Sequence, residues 1–124
     1  RVFCNIMTEL VACLSSGKGT WGHVARLIKE GKWDKTFILT NEFGRQNFKA
    51  EANVEVLLID EEKGIKELRD DIYNFLKDKV KGFEVGVNII SGSGKEHLAL
   101  MSALLKMGVG MRFVALTQEG VEEI

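Results

Sequence analysis

Four short apolar runs rich in β-branched and aromatic residues recur along the chain: KTFILTN (Lys35 to Asn41), VEVLLID (Val54 to Asp60), EVGVNIIS (Glu84 to Ser91) and MRFVALT (Met111 to Thr117). Runs of this length and composition read as strands buried on both faces. The segments between them have a different period. Trp21, Val24, Ala25 and Ile28 repeat at helical spacing, as do Ile65, Leu68, Ile72 and Leu76, and then Leu98, Met101 and Leu105. Strands that alternate with helices pair in parallel, and right-handed crossovers between parallel strands leave few topologies. The expected fold is one α/β domain over residues 1–124, a doubly wound, mainly parallel open sheet of order 3-2-1-4-5 with a short edge strand added near the C-terminus.

Helix ends are expected at Gly31, Gly82 and Gly108, which follow the three periodic runs. A further short helix is expected around Gln46 to Glu51. The start, RVFCNIMTELVACLS, exceeds one ordinary strand, and Leu10 to Leu14 is the preferred strand because it feeds directly into a glycine-rich turn.

That turn, SSGKGTWGHVARLI, places Gly17, Gly19 and Gly22 in the G-x-G-x-x-G pattern of dinucleotide sites, with Glu42 near the end of the next strand where a ribose-binding acid is expected. A second turn of the same kind, SGSGK, follows the fourth strand. In the order 3-2-1-4-5, strands one and four are neighbours where the winding reverses, so both turns face one crevice. Backbone donors of Gly17, Lys18, Gly19 and Thr20, and of Gly92, Ser93, Gly94 and Lys95, would meet phosphates there, with the hydroxyls of Ser15, Ser16 and Ser93 and the ammonium groups of Lys18 and Lys95. A Walker loop is excluded, because Ile89 stands where it needs glycine and Glu96 where it needs Ser or Thr.

Charge limits the partners. With 17 Lys and Arg against 18 Asp and Glu, no overall positive field favours duplex nucleic acid, and a small ligand is expected. Cys4 and Cys13 have neither metal spacing nor a pairing pattern, which fits free thiols in the cytoplasm. The apolar stretch Val2 to Leu14 is too short to span a bilayer and is interrupted by Asn5, Thr8 and Glu9. Neither metal nor cofactor is expected.

The turns SSGKGTW and NIISGSGKEHLALMSALL are similar to those of the CARF (CRISPR-associated Rossmann fold) domains. Members commonly carry N-x-T-G-G-T-K before an apolar helix. Asn88, Ser91, Gly92, Ser93, Gly94 and Lys95 occupy similar places, with Ser for both Thr and the second glycine shifted. The resemblance implies a homodimer with cyclic oligoadenylate, a second messenger of type III CRISPR defence, lying across its two-fold axis on these turns. It also implies either a sensor without its effector domain or a ring nuclease. In the latter, a ribose 2′-hydroxyl attacks the adjacent phosphate without metal and leaves a 2′,3′-cyclic phosphate.

For that chemistry the candidates are Lys95, to stabilise developing charge, and Ser15 or Ser16, to hold the reacting group in line. His23 and His97, each just past a glycine turn, are candidate acids or bases, although such histidines are more often capping or surface residues. Trp21 either stacks on a base or packs in a core or dimer contact. Met101, Met107 and Met111 read as core filling; Asp60 to Glu62 and Glu119, Glu122 and Glu123 read as solvated ends. Two other readings stay open: a module for a nicotinamide or adenine nucleotide, and a noncatalytic regulatory or assembly subunit.

Overall fold

The alternation of strands and helices builds one six-stranded sheet of order β3-β2-β1-β4-β5-β6 in the computed structural model, which describes residues 9–15, 18–49, 51 and 53–124. The strands are β1 (Glu9–Leu14), β2 (Lys35–Thr40), β3 (Val54–Leu58), β4 (Glu84–Asn88), β5 (Gly110–Thr117) and β6 (Gly120–Glu123). The first five pair in parallel, and β6 returns antiparallel on β5. The preferred first strand and the added edge strand are both present. Helices α1 (Trp21–Gly31), α2 (Glu42–Asn47), α3 (Ile65–Leu76) and α4 (Gly94–Met107) fill the connections.

Alternation along the strands makes two cores. Val11 and Cys13 of β1, Phe37 and Leu39 of β2, and Val85 and Val87 of β4 pack with Leu68, Ile72 and Leu76 of α3 and with Ala99, Leu100, Ala103 and Leu104 of α4. The intervening residues Leu10, Ala12, Leu14 and Ile38 meet Val24 and Leu27 of α1 in two smaller clusters. Trp33 fills the space above Gly86, where a Cβ would lie 3.0 Å from its ring. Its indole N–H donates to the Leu27 carbonyl at 3.0 Å.

Two expected boundaries move. The short helix lies at Glu42–Asn47 rather than Gln46 to Glu51, because Asn41 caps it immediately after β2: its side chain accepts from the Gly44 amide at 2.8 Å. Phe48 then turns extended and packs against the α1-side core. Gly82 does not stop α3, which ends at Leu76. The Lys81 and Gly82 amides instead donate to the buried carboxylate of Glu9, the Gly82 bond at 2.8 Å, and so fasten the approach to β4 onto the start of β1. Gly31 is the last residue of α1, and Gly108 caps α4 at φ 76°, both as expected.

Charge also organises the far edge. Arg112 on β5 bonds Glu84 on β4 and Glu123 on β6, each at 3.1 Å, so Glu123 is an ion-pair partner and not a solvated end. Lys77 and Lys79 lie over the rings of Tyr73 and Phe75. Among the described residues no helix is long and apolar enough to cross a membrane.

Candidate functional site

Strands β1 and β4 pair directly, so the turns that leave their carboxyl ends meet. The Ser15 amide donates to the Ser91 hydroxyl at 3.0 Å, joining residues 76 apart in sequence. Ser91 is buried, which keeps water from competing for this bond. The Ser15 carbonyl accepts from the Trp21 indole N–H at 2.5 Å, so the turn is also tied to the helix it enters.

The second turn is shaped by its own helix cap. Ser93 and Glu96 form a capping box: the Glu96 amide donates to the Ser93 hydroxyl at 3.3 Å, and the Ser93 amide donates to the Glu96 carboxylate at 3.2 Å. Gly92 must be glycine for two reasons. Its φ is +102°, and a Cβ would lie 2.7 Å from Oε1 of Glu96 and 3.2 Å from Cβ of Cys13. Among the described residues the Gly94 and Lys95 amides have no hydrogen-bond acceptor, which leaves two donors at the positive end of α4.

Ser15, Gly92, Ser93 and Lys95 line one cavity of about 260 Å³ with Glu61, Leu68 and Glu96. Lys95 is exposed, and its Nζ donates to the Glu61 carbonyl at 3.0 Å. Four candidates therefore converge. Gly19, Thr20, Trp21 and Gly94 are not in the lining, and the Trp21 ring lies against Phe43 at a centroid distance of 5.6 Å. Ser16, Gly17, the Lys18 side chain and Cys4 lie outside the described residues.

Glu61 and Glu96 are lining residues of this cavity that sequence reasoning passed over. Glu61 is exposed, as a solvated end would be, yet it lines the cavity, and the Asn41 amide donates to its Oε2 at 3.1 Å. Glu96 is only 5% exposed. Burial pushes its carboxyl above the usual range, against the Ser93 amide that stabilises the anion; the charge and hydrogen bond of Glu61 push it up further, and His97 opposes them. The Ser93-x-x-Glu96 spacing is the signal that could have found it. Burial, reinforced by Glu96, pushes the Cys13 thiol up to about 12, so it is no nucleophile. Among the described residues no cluster of three His, Cys, Asp or Glu side chains could hold a metal.

The histidines are engaged in structure. His97 donates from Nε2 to the Ser91 carbonyl at 2.8 Å. His23 accepts the Leu116 amide at Nε2, 3.2 Å away, and lies 3.4 Å from the Asn88 amide, which itself donates to the Val114 carbonyl. Burial and then Arg26 push the His23 pKa below 6.5. Folding thus favours neutral His23: its contribution is complete above the unfolded value and is lost as pH falls through the lowered folded one. Urea unfolding should show this as a loss of stability as pH falls below about 6.5 that is smaller in His23→Gln. Equal losses in the two proteins would remove the role.

Glu42 is turned to its own helix, where Arg45 and Gln46 each donate to Oε2 at 2.8 Å. The hydrogen bonds from Arg45 and Gln46 hold its carboxyl below the usual range.

No protein-family profile matches this chain, and no curated protein sequence does. Among solved structures it is similar to a crystal structure of UDP-N-acetylglucosamine 2-epimerase, with 13% identity and a TM-score of 0.54 over 86% of this chain. The fold is Rossmann-like. This Rossmann-like chain spans 31% of the epimerase chain, and at that identity the likeness concerns architecture alone.

Proposed function

We propose that the crevice binds a nucleotide, and that the domain is of the CARF kind, with cyclic oligoadenylate laid on the turns after β1 and β4 of two copies. The observation that carries this reading is the Ser15 amide bond to the Ser91 hydroxyl. It joins the end of β1 to the start of the turn after β4 at the point where the sheet reverses its winding. The Gly94 and Lys95 amides supply donors for a phosphate, and Lys95 supplies the charge by exchanging the Glu61 carbonyl for a phosphate oxygen.

Cleavage, in this reading, has the ribose 2′-hydroxyl attack the adjacent phosphorus and give its proton to water, forming the 2′,3′-cyclic phosphate while the P–O5′ bond breaks and the released 5′-oxygen takes a proton from water as a hydroxyl. Lys95 stabilises the charge that grows on the phosphoryl oxygens, and Ser15 or Ser16 holds the ribose in line. Incubation with cyclic tetra-adenylate in chelator, followed by chromatography, tests the reading. Cleavage assigns a ring nuclease, and retention without cleavage a sensor. Preferential retention of NAD would favour a dinucleotide module, and retention of neither would end the nucleotide reading.

A ligand with repeated phosphates is matched by two copies around an axis. Leu98 and Leu105, seven residues apart on one face of α4, are 56% and 68% exposed, and Ile65 of α3 is 39% exposed. We place the dimer contact on this face. Leu105→Glu should weaken dimerisation by about tenfold or more in sedimentation, since it buries a charge against apolar surface. An unaltered dimer would move the contact elsewhere.

A further inference from the structure

The crevice read above as a phosphate site has an unusual charge inventory for that purpose. Among the described residues its lining holds one cation, Lys95, and two carboxyl groups, Glu61 and Glu96. The Lys95 ammonium already rests on the carbonyl of Glu61. Glu96 is buried, and its carboxylate accepts from the Ser93 amide at 3.2 Å. The titratable groups around it are Cys13 from β1, Glu61 from the turn between β3 and α3, and Lys95 and His97 from its own helix.

We infer that Glu61 and Glu96 make this crevice select singly charged phosphodiesters over doubly charged phosphomonoesters. This rests on the nucleotide reading and adds to it the class of phosphate accepted. A diester brings one negative charge, which Lys95 and the amides at the start of α4 can match. A monoester carries nearly two at neutral pH, and its second charge meets the carboxyl groups of Glu61 and Glu96. The selection comes from repulsion built into the wall, not from an added contact to the preferred ligand.

The test compares 3′,5′-cyclic AMP with 5′-AMP, which share base and ribose and differ in phosphate charge. Calorimetric titration at neutral pH should show cyclic AMP binding at least about tenfold more tightly to the wild type. Glu61→Gln and Glu96→Gln are nearly isosteric, and each should bring the ratio towards one by strengthening 5′-AMP. Equal affinities in the wild type, or a ratio unchanged in both variants, would overturn the inference while leaving the nucleotide reading intact. Absence of binding for both compounds in all three proteins would overturn the two together.

Discussion

Gly92→Ala is expected to lower the stability of the domain by about 2–4 kcal/mol, combining backbone strain at positive φ with overpacking against Glu96 and Cys13. That is a large share of the roughly 5–15 kcal/mol available to a domain of ordinary stability. The neighbouring Gly94→Ala is the control. Gly94 opens α4, and a Cβ there meets nothing within 4 Å, so alanine should be neutral or stabilise by about 0.5–1 kcal/mol. Urea unfolding of both variants checks the contrast. A Gly92→Ala protein as stable as wild type would mean that the turn relaxes without cost and that its shape does not depend on the missing side chain.

Lys95→Ala is expected to weaken cyclic tetra-adenylate binding by about ten- to a hundredfold, the loss of a charge-assisted hydrogen bond to phosphate. Stability should change by only about half a kcal/mol, because the side chain is exposed and its bond to Glu61 is made at the surface. If the domain cleaves its ligand, single-turnover cleavage of the bound ring should fall further still, since the phosphate charge served by Lys95 is greatest in the transition state. Calorimetry and metal-free single-turnover assays separate the two effects. Unchanged affinity would return Lys95 to a role in holding the turn at Glu61.

The sheet was legible because its pattern is redundant. Each strand is an apolar run, each long helix has its own periodicity, and parallel pairing leaves little freedom once they alternate. The short edge strand expected near the C-terminus is β6. The misplaced helix shows the limit: in NEFGRQN the apolar face is too small to mark a period, and the cap by Asn41 decides the start. Gly82 misled for another reason. Its place is governed by Glu9, 73 residues away, and local spacing carries no trace of that.

The crevice was half legible. Ser15, Gly92, Ser93 and Lys95 announce themselves as turn residues, and topology brings them together. Glu61 and Glu96 look like ordinary helix-cap and loop acids in one dimension. They meet only when the turn before α3 folds over the start of α4. Trp21 was read as stacking on a base or packing in a contact; its indole N–H fastens the first turn while its ring packs on Phe43.

The two margins of the sheet carry a consequence for assembly. At one side β3 presents Glu55, paired with Lys35 at 3.1 Å; at the other, β6 is four residues long and ends in two glutamates, one of them held by Arg112. Short, charged margins resist the addition of a further strand, whether from a second copy or from an unfolded chain. Growth by sheet extension is therefore discouraged at both ends, so the dimer proposed above draws on the exposed Leu98 and Leu105 of α4 and not on a shared sheet edge.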